Sequence, residues 1–268
     1  MSRSDGGYYL DPALYDAVYS DYTADIAPHV AAMRAADGPA LEVCCGNGRL
    51  LIPTLEAGVV CEGLDREEPM LADLRAKLAA KGLRATLHRA DMRDFTLPMR
   101  YALIAIGFNS FLHNLTQADQ LATLRCCRQH LESGGRLMLT AFHPSAEKLL
   151  QWSGKESLMK DVPWQGRRYR VHDRADDDRV EQVRRMTRRI EVLEGDRVVE
   201  ERTLTFDLRY VYKPEMELLL RVAGFSRWEV KPAFADYTDP SSGHPAERGR
   251  GARAPREGDN LLWTAWKD

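Results

Sequence analysis

Between Pro39 and Phe142 short apolar runs alternate with amphipathic stretches, a rhythm that leaves few ways to fold. Strand-length runs separated by helix-length stretches pack as βαβ units, with parallel strands covered by helices on both faces. The runs are Ala40–Cys45, Val59–Leu64, Ala85–Ala90, Tyr101–Ile106 and Arg136–Phe142, each about six residues, the usual strand length. Between them Arg49–Glu56, Pro69–Ala80 and Gln117–Leu131 carry apolar residues at i, i+3 and i+4, and Gly58 and Gly82 follow the first two as helix stops.

After Pro144 the texture changes. Gly166–Tyr212 is rich in Arg, Val, Thr and Tyr with period-two stretches, and Glu194-Gly195-Asp196 is a turn between Thr187–Leu193 and Arg197–Phe206, so this region reads as an antiparallel hairpin insertion. Within it, Asp176-Asp-Asp-Arg179 reads as a solvated turn. Pro214–Ala223, with Pro in its first turn and Gly224 beyond its end, is a helix, and Ser226–Ala233 and Asn260–Trp266 are the last strands. Residues 236–259, dense in Pro, Gly and Arg, read as a lid or as disordered chain. The chain therefore divides into a helical cap (1–38), an α/β core (39–145), an antiparallel insertion (146–212) and a segment completing the core sheet (213–268).

Charge narrows the function. Thirty-eight Lys and Arg face 40 Asp and Glu, a net charge of -2, so no overall positive field exists to hold nucleic acid by counterion release. No apolar stretch approaches the ~20 residues of a membrane span, and the polar first residues do not read as a secretion signal. Five cysteines, an odd number without CxxC spacing, argue against both a disulfide framework and a zinc site. The expectation is a cytoplasmic protein with no metal; oligomeric state is not legible.

The first strand runs into Glu42-Val-Cys-Cys-Gly46-Asn-Gly48, placing two glycines where strand turns into helix. Main chain without Cβ lets a ligand lie close, and a helix N-terminus offers unpaired N–H groups to an anionic group. The dinucleotide pattern G-x-G-x-x-G fails in both frames, because Arg49 or Leu51 stands where the third glycine belongs. About 20 residues on, Gly63-Leu-Asp65 ends the second strand with an acid that suits the ribose of any adenosine ligand. Arg89-Ala-Asp91-Met92 ends the third, and Ile106-Gly-Phe108-Asn109-Ser110 the fourth.

In this order the pieces resemble the class I S-adenosylmethionine-dependent methyltransferases, whose loop pattern is E/D-x-G-x-G-x-G; Glu42, Gly46 and Gly48 are in register, and Cys44 replaces the first glycine. The resemblance implies a Rossmann-like, doubly wound, seven-stranded mixed sheet of the α/β class, with the hairpin insertion after the fifth strand. It implies S-adenosylmethionine as cofactor, held by Glu42, Gly46, Gly48, Asp65 and the neighbouring Arg66 and Met70, then by Asp91 and Met92 at the adenine and Phe108 and Asn109 beside the methionine part. For Asp65 and Asp91 the competing reading is a helix N-cap, for Met70 and Met92 a core filler, and Glu42 orients the loop rather than performing chemistry.

Methyl transfer from a sulfonium is a direct displacement, so little beyond placement is required; an oxygen acceptor wants a base, whereas a neutral amine brings its own lone pair. His113, just beyond the fourth strand at the carboxyl edge of the sheet, is the candidate base, against a packing role, and His143 has a weaker claim. Tyr15, Tyr19 and Tyr22 at i, i+4 and i+7 are either a cover over the cofactor or a packed helix face. Tyr15 and Tyr19, with Arg209 and Tyr210 at the insertion's exit, are candidate acceptor contacts. The expected reaction is methylation of nitrogen or oxygen on a small molecule. The alternatives are a nucleotide-cofactor oxidoreductase and a non-catalytic adenosine-ligand binding protein.

Overall fold

The computed structural model describes residues 7–233 and 260–268, so the segment read as lid or disorder lies outside the described residues. The cap is two helices, α1 (Pro12–Tyr19) and α2 (Ile26–Arg34). α1 starts as its sequence dictates: Pro12 occupies the first turn and Asp11 accepts a hydrogen bond from the Leu14 N–H at 3.0 Å.

The core follows as β1 (Ala40–Val43), α3 (Leu51–Glu56), β2 (Cys61–Asp65), α4 (Glu68–Ala80), β3 (Leu87–Arg89), β4 (Tyr101–Ile106), α5 (Gln117–His130) and β5 (Leu131–Phe142). After the helix α6 (Ala146–Trp152) come β6 (Glu156–Trp164), β7 (Arg167–Asp178), β8 (Val183–Glu194) and β9 (Arg197–Arg209), then α7 (Lys213–Val222), β10 (Arg227–Pro232) and β11 (Asn260–Trp266). Seven strands form one sheet in the order β10-β11-β5-β4-β1-β2-β3. β1 is parallel to β2 and β4, whereas β11 runs antiparallel between β5 and β10. All four β1 residues are buried, as for a central strand covered on both faces. The doubly wound seven-stranded sheet is as expected.

The insertion is larger than one hairpin. β6, β7, β8 and β9 make a separate four-stranded antiparallel sheet, whose β8–β9 turn lies at Gly195-Asp196, within the stretch read as a turn. The strand β6 was not legible because its exposed, mixed residues lack a clear two-residue alternation. Asp176-Asp-Asp-Arg179 is not simply a solvated turn: Asp177 is on β7, and its carboxylate, fully buried, pairs with Arg184 at 2.8 Å. Asp177 and Asp173 stand directly across from Arg184 and Arg188 in the β7–β8 register. Cross-strand neighbours of opposite charge attract, so two acids and two arginines point inward in an otherwise apolar stripe with Met186 and Ile190.

Salt links tie the pieces into one site. Arg202 of β9 pairs with Asp11 at 2.6 Å, and Lys160 of β6 with Asp21. Lys77 of α4 pairs with Asp16 at 2.6 Å, which fixes α1 between the insertion and the core.

Candidate active site

The carboxyl ends of β1, β2, β3 and β4 open into a cavity of about 520 Å³, closed from above by α1 and the insertion. At its floor the chain turns through Cys44, Cys45 and Gly46. Cys44 adopts φ 61 and Gly46 φ 54, so the substitution of Cys for a glycine places a side chain in left-handed backbone, a conformation that costs an L-residue roughly 1–2 kcal/mol. Its Sγ lies 3.7 Å from Met92 Sδ, and burial pushes its thiol well above the usual range. Gly46 is the opposite case: a Cβ built there would meet no atom within 4 Å, so bare main chain faces open space.

Asp65, at the end of β2, holds this hairpin. One carboxylate oxygen accepts from Gly46 N–H at 2.7 Å and the other from Glu67 N–H at 2.9 Å, just ahead of α4. The residue borders the cavity, and burial raises its pKa despite those two bonds. Each oxygen keeps a second lone pair. Asp91 lies at the next strand end. Arg93 grips it with two guanidinium bonds at 2.7 and 2.8 Å and a backbone bond at 2.9 Å, which holds its carboxyl below the usual range. Met70 and Met92 complete this wall, with Arg66 paired to Glu67 at 2.8 Å.

On the far side, His113 sits on a short 3₁₀ turn, Ser110–His113, beyond β4, and its Nε2 is 2.9 Å from the Tyr9 hydroxyl. Tyr9, Phe108 and His113 also border a second, smaller cavity of about 80 Å³, walled by the inner face of β8 and β9 and by Tyr19 and Tyr210. Burial pushes Tyr210 up to about 12. The two cavities thus meet at Tyr9 and His113, one over the hairpin and one under the insertion.

Of the residues singled out from the sequence, Gly46, Asp65, Arg66, Met70, Asp91, Met92, Phe108, His113 and Tyr15 border the larger cavity. Asp65 and Asp91 each bond a backbone N–H two residues on, but neither caps a helix: α4 has Glu67 at its N-cap, and a turn rather than a helix follows Asp91. Four expectations need correction. Glu42 is buried and faces His29 of α2 at 3.5 Å, because its position on β1 points it away from the hairpin. Gly48 does not border the cavity; its missing Cβ leaves room for Leu74 of α4, which would lie 2.4 Å away. Asn109 borders only the smaller cavity and donates to Asn260 at 2.9 Å. Arg209 borders neither: it is buried against Gln120 and Glu215, both at 2.8 Å, and so joins β9 to α5 and α7. Tyr19 and Tyr210 border the smaller cavity, and Tyr22 packs on Phe108 at 5.6 Å beyond the end of α1. His143 stacks edge-on against Tyr212 and borders neither cavity.

Sequence reasoning missed Tyr9, Arg93, Asp119 and Asp207. Only Arg93 had a local signal, two residues after Asp91. Among the described residues no group of three His, Cys, Asp or Glu side chains is placed to hold a metal ion, and no helix is long and apolar enough to cross a membrane.

Comparison with known proteins speaks to this geometry. A family model described as a methyltransferase domain matches residues 40–135. That stretch is therefore similar to a methyltransferase domain over about a third of the chain. Beyond it, the chain is 33% identical over 136 residues to a dTDP-3-amino-3,4,6-trideoxy-alpha-D-glucopyranose N,N-dimethyltransferase of Streptomyces venezuelae, covering 48% of this chain and 56% of that one. It is 29% identical over 147 residues to the cypemycin N-terminal methyltransferase of a Streptomyces species, covering 53% and 59%. The matches thus span little more than half the length of these curated relatives. In fold the likeness extends further: the CcbJ methyltransferase of Streptomyces caelestis superposes with a TM-score of 0.75 over 99% of both chains at 24% identity. The matched stretch ends within β5, so the insertion and the last strands lie outside the match.

Proposed function

We propose that this chain is an S-adenosylmethionine-dependent methyltransferase acting on a nitrogen of a small-molecule acceptor. The observation that carries the reading is the pair of joined cavities, one over the bare Gly46 main chain between Asp65 and Asp91, the other under the insertion, meeting at His113 and Tyr9. The open space over Gly46 fits a bound adenosyl group. The choice of nitrogen over oxygen rests on the relatives in the Streptomyces species, one named as an N,N-dimethyltransferase and the other as an N-terminal methyltransferase. One of them is named for an amino sugar, which makes an amine on a small ring a reasonable first acceptor to try.

S-adenosylmethionine supplies, when bound, an electrophilic methyl group on a sulfonium. Asp65 uses its remaining lone pairs for the ribose hydroxyls, Asp91 accepts from the adenine amine, and Met70 and Met92 flank the base. Phe108 and Tyr15 close the cavity from the side of β4 and α1 and exclude water. His113, oriented by Tyr9, takes the proton that the acceptor nitrogen sheds. The four segments, 1–38, 39–145, 146–212 and 213–268, then serve as cover, cofactor half, acceptor sheet and completion of the core. All five cysteines are thiols, which favours a reducing cytoplasm.

The test is incubation with S-adenosylmethionine carrying a deuterated methyl group and a panel of small primary and secondary amines and matched alcohols. Transfer of the labelled methyl to nitrogen with stoichiometric S-adenosylhomocysteine is expected. Transfer only to the alcohols would refute the choice of atom, and consumption of no donor across the panel would count against the activity.

A further inference from the structure

Asp91, at the end of β3, is fixed in direction by one neighbouring side chain. The Arg93 guanidinium donates from Nε to Oδ1 at 2.8 Å and from Nη2 to Oδ2 at 2.7 Å, a fork that matches the plane of the carboxylate. The Arg93 backbone N–H adds a third bond, to Oδ1 at 2.9 Å. The guanidinium is itself held from its far side, where Nη1 donates to Asp119 at 3.0 Å. Asp119 stands in the first turn of α5, and the Thr116 hydroxyl at the N-cap accepts from its backbone N–H at 3.0 Å and donates to its carboxylate at 2.7 Å. Thr116, Asp119, Arg93 and Asp91 all border the larger cavity. The Arg93–Asp91 pair is about one-third exposed, so it adds little to stability. What it supplies is orientation.

A count of lone pairs shows what Asp91 has left to offer. Each carboxylate oxygen has two. Oδ1 commits both to Arg93, one to the backbone N–H and one to Nε, whereas Oδ2 commits one to Nη2 and keeps the other. The same bonds hold the carboxyl below its usual range, so at neutral pH it has no proton to donate. A purine that meets Oδ2 must therefore bring a donor. Adenine brings its exocyclic amine. Hypoxanthine, the same ring with oxygen in that place, brings a lone pair against the carboxylate, and the fork prevents the carboxylate from turning to the hypoxanthine ring N–H instead.

We propose that Arg93 is a positioning residue that, acting through Asp91, makes the base subsite selective for an aminopurine over the corresponding oxopurine. The proposal rests on the methyl-transfer reading and deepens it by naming what sets the choice of base. Asp119 and the start of α5 are part of the same device, because they hold the guanidinium at its other end.

The experiment is calorimetric titration of the full chain with S-adenosylhomocysteine and with S-inosylhomocysteine, its deaminated counterpart. The wild type is expected to bind S-adenosylhomocysteine about tenfold more tightly or better, since a charged hydrogen bond is exchanged for a repulsion. Arg93→Met, which keeps the stem and removes the fork, should bring the two ligands within about threefold of each other. Arg93→Lys keeps a charge without the fork and should not restore the preference. Asp91→Asn offers an amide donor to the base and should shift the ratio toward S-inosylhomocysteine. An Arg93 that served only the structure would weaken both ligands alike and leave their ratio at the wild-type value. Should Arg93→Met fail to fold, Arg93→Lys and Asp91→Asn give the same reading. Absence of S-adenosylhomocysteine binding to the wild type would remove the methyl-transfer reading and this proposal with it. Where it binds, equal binding of the two ligands to the wild type, or a wild-type ratio in the folded variants, overturns this proposal alone.

Discussion

Two glycines one residue apart in the same hairpin are predicted to fail in opposite ways, which makes them the sharpest internal test of the site. Gly46→Ala places a methyl where no atom lies within 4 Å, so the only folding cost is left-handed backbone at φ 54, about 1–2 kcal/mol. That methyl stands in the cavity, against the space assigned to the cofactor. Gly48→Ala has φ 91 to pay for as well, and its methyl would meet Leu74 Cδ1 at 2.4 Å and Ile52 at 3.0 Å in a buried layer. Overpacking of that kind costs ~1–3 kcal/mol beyond the backbone strain, so a total of about 2–5 kcal/mol is expected. Urea denaturation of the ligand-free proteins reads the first effect and calorimetric titration with S-adenosylhomocysteine the second. Gly46→Ala should lose affinity at least tenfold, ~1.4 kcal/mol, with modest loss of stability. Gly48→Ala should lose stability and, where still folded, bind normally. If Gly46→Ala binds as tightly as wild type, or Gly48→Ala loses binding with unchanged stability, the placement of the cofactor over Gly46 is wrong.

Four further outcomes follow from the geometry. Asp65→Ala removes the acceptor of two backbone N–H bonds as well as the ribose contact, so S-adenosylhomocysteine affinity should drop by about 2 kcal/mol with a parallel loss of stability; unchanged affinity in titration would misplace the ribose. Because burial raises the Asp65 pKa, its carboxylate is lost as pH falls through that raised value, so affinity should decline at a higher pH than an ordinary aspartate, near ~3.9, allows; a flat profile down to that pH would contradict it. Asp173→Ala leaves the buried Arg188 uncompensated and should cost about 3–5 kcal/mol by denaturation, whereas the double change Asp173→Leu, Arg188→Met should recover most of it; failure to recover would mean the pair is not acting as a unit. His113→Ala should slow methyl transfer about a hundredfold while S-adenosylhomocysteine affinity holds, and an unchanged rate would reduce His113 to packing.

What the sequence disclosed and what it withheld divide along the range of the interactions. The strand–helix alternation, the stops at Gly58, Gly82 and Gly224, the hairpin glycines and the acids at the ends of β2 and β3 are local patterns, and they were legible. Gly46 and Gly48 look equivalent in sequence, yet only the packing of α4 against the hairpin separates a cavity glycine from a packing glycine. Glu42 matched a motif, but the two-residue alternation of β1 turned it toward His29. Tyr9 joins His113 across more than a hundred residues, and Arg209 finds Gln120 and Glu215 on helices far away in the chain. The inward acids of β7 read as solvated charge because their partners belong to the next strand and are recognised only once the register is known.

The central claim is that the cavity over Gly46 takes an adenosyl sulfonium cofactor and not a dinucleotide. Calorimetric titration of the purified chain with S-adenosylhomocysteine and, separately, with NAD tests it most directly. A saturable, one-to-one heat with S-adenosylhomocysteine that disappears in Gly46→Ala, and none with NAD, is the predicted result; saturable binding of NAD with no response to S-adenosylhomocysteine would contradict the account.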